Sequence, residues 1–277
     1  MEKVILKNGW KLPVICVGTN RMDAVKMQSV MRGALEAGIR FFDSARDYGN
    51  EPVVGEVLSQ LMSHLNIGRS EVFITTKVGN TQQLKGNMAH EIEVSLKNLH
   101  TDYVDAWFLH WPYPNLYEEN LLQMYKLREQ GKARAIGLAN PRVRHLQRLV
   151  DLGIPLPDVI QIEHHPFRLS QDILDFCILH HIQVEAYSPL CFMIEKIREN
   201  EVLENIAVRH NKSLGQIVLR WHYQHHVIPV FRSEKPNRFM ENVDIFDFEL
   251  SGEEMQMINS LDEEYKFIPE SLHCPGY

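Results

Sequence analysis

Apolar positions along the chain alternate between two textures. Short runs rich in β-branched and aromatic residues recur at 14–18, 39–43, 72–77, 104–110, 133–137, 159–162, 183–187 and 227–230. Runs of this length and composition read as buried strands. Between them lie longer stretches with apolar residues at helical spacing: 25–37, 53–64, 89–99, 118–130, 143–152, 170–180, and the pair 202–209 and 213–224. Gly38, Gly131 and Gly153 each follow the last residue of such a stretch, where a left-handed C-cap favours glycine. Asn140-Pro141 reads as an N-cap followed by proline at the first helical position. Met22, Met27 and Met31 follow helical spacing and read as core.

Eight strands alternating with helices predict a parallel sheet covered by helices. At about 250 residues the natural closed form is an α/β (β/α)8 barrel of the TIM type. Ahead of the first strand, residues 4–12 carry an Asn8-Gly9 turn between short apolar pieces. That is a hairpin signal, and the hairpin would cap the barrel floor. A short helix at 253–261 precedes an irregular tail containing Pro269, Pro275 and Gly276. No linker or low-complexity segment divides the chain, so residues 1–277 are expected to form one domain.

Composition adds limits rather than a fold. With 44% hydrophobic and 23% charged residues, the chain is neither disordered nor fibrous. A net charge of −7 argues against broad binding to nucleic acid or anionic membranes. It leaves room for one small anion in a local basic pocket. No apolar run reaches the roughly 18 residues of a membrane span, and the start Met1-Glu2-Lys3-Val4 lacks a signal-peptide pattern. Cys16, Cys177, Cys191 and Cys274 lie far apart without a CxxC pair, the usage of a reduced cytoplasmic protein. The histidine pairs 164–165, 180–181 and 225–226 offer no H-E-x-x-H or H-x-H spacing, so no metal site is expected.

Polar residues stand where such a barrel gathers its reactive groups, at the C-terminal ends of the strands. Asp43 closes the second strand, Lys77 the third and His110 the fourth. Asn140 follows the fifth, Gln161 sits near the end of the sixth, and Tyr187 ends the seventh. Arg232 and Ser233 follow the eighth. A lysine or aspartate at the end of a buried strand is costly unless paired. Tyr48 lies on the loop just past Asp43. A free phenol titrates near ~10, too high for efficient proton transfer near neutrality. An ammonium beside it favours phenolate, so Lys77 is expected to lower the Tyr48 pKa while Asp43 holds Lys77. His110 would orient a carbonyl and share the proton.

In these segments the chain resembles the aldo-keto reductase family, in its short-tailed bacterial branch. Residues 42–51, Phe-Asp-Ser-Ala-Arg-Asp-Tyr-Gly-Asn-Glu, are similar to the family's D-[TS]-A-x-x-Y-x-N-E segment. Thr76-Lys77-Val78 resembles T-K-[VL], and Leu109-His110-Trp111-Pro112 resembles I-H-W-P. Residues 136–140 resemble I-G-V-S-N, residues 161–166 resemble Q-x-E-Y-H-P, and residues 186–190 match A-Y-S-P-L. Residues 232–242 resemble the K-S-x-x-P-x-R-x-x-E-N loop, with Arg232 in place of lysine.

The resemblance implies an NADPH-dependent reductase of small carbonyl compounds, working as a monomer or weak homo-oligomer, with the cofactor across the barrel mouth. It implies Asp43, Tyr48, Lys77 and His110 as catalytic residues, with Tyr48 as proton donor. Asn140 and Gln161 would bind the carboxamide and Tyr187 would stack on the nicotinamide. Thr19 would approach its ribose, and Ser188 and Leu190 would line the pyrophosphate path. Arg232, Ser233 and Arg238 would grip the 2′-phosphate, with Glu241 and Asn242 on the adenine. No G-x-G-x-x-G opens a βα unit, so a Rossmann cofactor domain is not implied. Asn20, Tyr48, His110 and Trp111 would line the substrate pocket.

Departures from the pattern carry their own expectations. Ala139 replaces the usual serine of the carboxamide site, a lost hydrogen bond of about 0.5–1.5 kcal/mol. Asn20 and Gly79 stand where the family commonly has tryptophan, which points to a wider or more polar mouth. Two rival readings are a nicotinamide-binding sensing barrel with little turnover and a metal-dependent hydrolase. The joint presence of Lys77 and His110 argues against the first, and the second lacks ligand spacing.

Overall fold

A computed structural model describes residues 2–233, 235–236, 238–268 and 274. Glu234 and Asn237 of the loop after strand eight lie outside the described residues, as do Pro269, Pro275 and Gly276 of the tail. The amino-terminal hairpin forms as expected: β1 (Lys3–Ile5) pairs antiparallel with β2 (Lys11–Pro13). Its turn closes through Leu6 N–H donating to Trp10 O at 2.8 Å, with Gly9 at φ +85°.

All eight expected barrel strands are present. They are β3 (Cys16–Gly18), β4 (Phe41–Asp43), β5 (Phe73–Val78), β6 (Val104–Leu109), β7 (Ala133–Ala139), β8 (Val159–Glu163), β9 (Gln183–Tyr187) and β10 (Val227–Phe231). Each pairs in parallel with its chain neighbour, and β10 pairs with both β9 and β3, which closes the barrel. Each expected helix forms between or after these strands, with ends shifted by a residue or two, from Ala24–Glu36 through Gly252–Asn259.

Strand alternation divides the core in two. On β6, Trp107 and Leu109 turn outward to the helices, while Ala106 and Phe108 turn inward. The interior packs Phe41, Phe73, Phe108, Val159 and Ile228, and Leu6 and Leu12 of the hairpin close it from below. Phe108 fills space that Gly137 leaves, since a Cβ at 137 would overlap its ring. The floor is therefore apolar and sealed, and ionisable groups collect at the opposite end.

One expected cap is corrected. The helix after β7 is Val143–Asp151 with Arg142 as N-cap, and Asn140 is not its cap. Asn140 sits at φ +58° with its side chain drawn to neighbouring strand ends, contacts that override its local capping tendency.

Candidate active site

Lys77 projects inward near the end of β5 and is fully buried. Its Nζ donates to both Asp43 carboxylate oxygens at 2.6 Å, to Ser44 O at 3.2 Å and to Tyr48 Oη at 3.3 Å. Asp43 is the last residue of β4, in register with Thr75 of β5, so the neighbouring strand ends bring the pair together. Burial alone pulls the lysine pKa down, but the charges and hydrogen bonds of Asp43 and Tyr48 reverse this and leave it above the ordinary value. The ammonium is thereby retained inside the protein.

Tyr48 ends a short 3-10 turn, Arg46–Tyr48, closed by Gly49 at φ +68°. The expected lowering of its pKa is corrected: burial pushes the phenol up to about 12, against the opposing pull of Lys77. Desolvation of the phenolate outweighs the nearby cation. Tyr48 therefore keeps its proton at neutral pH, and because Lys77 donates to its oxygen, the phenolic hydrogen is left for another acceptor.

His110 follows β6, its backbone N–H held by Val78 O at 2.9 Å. Its ring lies edge-on to Tyr48 with centroids 5.9 Å apart. Burial lowers its pKa, and Lys77 adds to this, while the Asp47 hydrogen bond opposes. That bond joins His110 Nδ1 to Asp47 Oδ2 at 3.0 Å.

The amide residues tie the rim together. Asn140 Nδ2 donates to His110 O at 3.0 Å, and Tyr187 Oη donates to Asn140 Oδ1 at 2.8 Å. Gln161 Nε2 donates to Asp43 Oδ1 at 3.1 Å and to Glu185 Oε2 at 2.8 Å. With its NH2 committed to two carboxyl groups, Gln161 offers its Oε1 to a donor from a ligand. Glu185 is fully buried, its other oxygen has no partner among the described residues, and burial with Asp43 nearby raises its pKa to about 8. The sequence reading missed Glu185 and assigned no role to Asp47. Glu185 was open to detection as an acidic residue two positions before Tyr187, on the same strand face.

Thr19, expected beside a ribose, is fully buried and donates its hydroxyl to Asp43 O at 2.9 Å. Asn20 is exposed and accepts from Arg232 Nη1 through its carbonyl at 2.9 Å, linking the loops after β3 and β10. Trp111 is buried, and its carbonyl accepts from Gln83 Nε2 at 3.0 Å. Ser188, at φ +52°, and Leu190 follow β9 and are half-buried. Ser233 is half-buried, Arg238 and Glu241 are exposed, and Asn242 is buried on the helix Arg238–Val243. Pro236 seats this loop against Gly33, where a Cβ would come within 2.7 Å of the proline Cβ.

A sequence profile described as the Aldo/keto reductase family matches residues 14–263. The chain is 37% identical to glyoxal reductase of Bacillus subtilis over 269 residues, covering 97% of this chain and 95% of that one. It is 36% identical to methylglyoxal reductase DkgA of Yersinia pestis, covering 93% and 91%. Among solved structures, a Bombyx mori aldo-keto reductase in complex with NADP superposes with a TM-score of 0.92 at 29% identity, covering 98% of this chain and 95% of that one. An aldo/keto reductase from Brucella melitensis gives 0.87 at 36% identity, covering 94% and 99%. The chain therefore belongs to the aldo/keto reductase family, as an oxidoreductase acting on carbonyl groups.

Proposed function

We propose that the protein is an NADPH-dependent carbonyl reductase acting on a small aldehyde, ketone or sugar-like oxo compound, with Tyr48 as proton donor. The observation that carries this reading is the chain from buried Asp43 and Lys77 to half-buried Tyr48, in which the lysine donates to a phenol that keeps its own proton. The side chains at the mouth suit a nicotinamide dinucleotide: two amides, a half-buried tyrosine, and cations on the loop after β10. Asn140 and Gln161 would hold the carboxamide, and Tyr187 the ring face. Ser188 and Leu190 would line the pyrophosphate path. Arg232, Ser233 and Arg238 would take the 2′-phosphate, as a guanidinium binds phosphate through paired donors. Glu241 and Asn242 would meet the adenine.

NADPH, when bound, supplies the hydride. The chain supplies the rest. Tyr48 breaks its O–H bond and gives the proton to the carbonyl oxygen. Lys77 stabilises the phenolate left behind, and Asp43 keeps Lys77 charged and in place. His110 orients the carbonyl. The related glyoxal and methylglyoxal reductases support a small carbonyl substrate. We place the enzyme in the cytoplasm as a monomer or weak homo-oligomer; its free, buried cysteines suit a reducing compartment.

The test is Tyr48→Phe. NADPH-driven reduction of a panel of aldehydes, ketoses and keto acids should fall by about 10²–10⁴-fold. NADPH affinity should stay within a few-fold of the parent. Full activity in the variant would overturn the proton-donor assignment.

A further inference from the structure

The mouth holds a second carboxylate, Asp47, on the same short turn as Tyr48. Its side chain is 42% exposed, and its Oδ2 lies 3.0 Å from His110 Nδ1. Room for it comes from a different loop. A Cβ at Gly79 would overlap the Asp47 carboxylate. Gly79 has φ −76° and ψ 171°, an extended conformation that any residue adopts. The glycine is therefore required for space and not for backbone freedom. Where the family resemblance leads one to expect a tryptophan, this chain has an opening shaped around a carboxylate.

A neutral imidazole carries one N–H, on either nitrogen, and its partner decides which. A carboxylate against Nδ1 accepts that proton and fixes it there, so Nε2 is the nitrogen left for a ligand. The same carboxylate favours the doubly protonated ring, in which Nε2 also becomes a donor. The other groups facing His110 are Lys77, which opposes that charge, Asp43, which favours it at longer range, and the protonated Tyr48 edge-on to the ring. Among the groups that favour it, the Asp47 hydrogen bond is the largest, set against burial.

We propose that Asp47 is a positioning residue: its carboxylate holds His110 with Nδ1 protonated and favours the doubly protonated ring that burial opposes, so that below the His110 titration Nε2–H donates to the substrate carbonyl oxygen. The proton that transfers still comes from Tyr48, and His110 keeps both of its own. This role rests on the reductase reading above. It follows that kcat/KM for carbonyl reduction falls as pH rises through the His110 titration, and that Gly79 is part of the device because it leaves the carboxylate its place.

The experiment pairs two variants with two readouts on the full chain. Asp47→Asn removes the charge. Gly79→Ala keeps Asp47 but displaces its carboxylate, which is the mobile end of a side chain. Imidazole ¹⁵N NMR, with the His110 signals identified by their loss in His110→Gln, reads tautomer and titration without any turnover. The expected result is an Nδ1–H ring in the parent and a titration at least about one pH unit lower in both variants. The falling limb of kcat/KM should move by the same amount, leaving about tenfold less activity above it. An Nε2–H ring in the parent, or an unmoved titration and pH profile in both variants, would overturn the proposal. If His110 shifts but the parent reduces no carbonyl, the reductase reading fails while the pairing stands. If the parent reduces carbonyls and neither readout moves, the Asp47 role fails and the reductase reading stands.

Discussion

Of the regions that bury ionisable side chains, two treat them in opposite ways. At the barrel mouth, Lys77 is saturated by both oxygens of Asp43, a backbone carbonyl and a phenol. Behind β8, against the helix Leu214–Gln224, three imidazoles are packed without a countercharge among the described residues. His164 stacks on Trp221 at 4.8 Å and meets His222 and His225 edge-on at 5.0 and 6.2 Å. Neither ring nitrogen of His164 has a hydrogen-bond partner among the described residues. His222 lies between the carbonyls of Val218 and His164, and His225 meets Asn259 Oδ1. Burial lowers all three pKa values, that of His222 to about 4. Burial beside a countercharge keeps a charge available for chemistry. Burial without one makes the ring an apolar packing unit that resists protonation.

The sharpest way to break the contrast is Lys77→Met, which leaves Asp43 buried and unpaired. Losing one partner of such a pair costs about 3–5 kcal/mol. Urea unfolding should show that loss, with reductase activity nearly abolished; a loss below about 1 kcal/mol would mean that the pair does not sustain the buried charge.

Glu185 is the exception at the mouth, an acid next to Asp43 with only an amide for company. Its folded pKa of about 8 lies above its ordinary value near 4.5. The folded chain holds a proton there that the unfolded chain releases. Its contribution to stability is thus full below about 4.5 and drains away as pH rises to 8. Glu185→Gln should gain on the parent by about 2 kcal/mol or more at pH 9 relative to pH 5. An equal effect at both pH values would show that Glu185 is already ionised in the fold.

The smallest effect belongs to the histidine cluster. With folded values below the unfolded ~6.5, stability is fully present above that pH and lost as pH falls toward about 4. A ring held near 4, as His222 is, removes about 1 kcal/mol between pH 7.5 and 5.5. His164→Tyr, which restores the family's residue, should flatten this decline, whatever its effect at pH 7.5. An unchanged slope would mean that His164 takes up its proton within the fold.

The barrel was legible because its signal is repeated: each strand is an apolar run, and from the second strand on a polar residue that the run does not explain stands at or just past its end. Asp43, Lys77 and His110 stood out for that reason. Where the sequence misled, long-range contacts were the cause. Asn140 looks like a helix cap, yet it answers to His110 and Tyr187, which are distant in sequence. The direction of the Tyr48 shift depends on how deeply the loop settles, and spacing does not encode that. Gly79, as a missing aromatic, points to a wider or more polar mouth; the fold shows which polar group, Asp47, takes the opening.

The hairpin plug has a consequence for the order of events. With Leu6 and Leu12 sealing one end, the interior formed by the described residues opens at the rim. Water or protons bound for the Asp43–Gln161–Glu185 layer would then enter from the side where the proposed cofactor would sit. A seated ligand would then act as a stopper. The protonation state of that layer would be set before each turnover and carried through it unchanged.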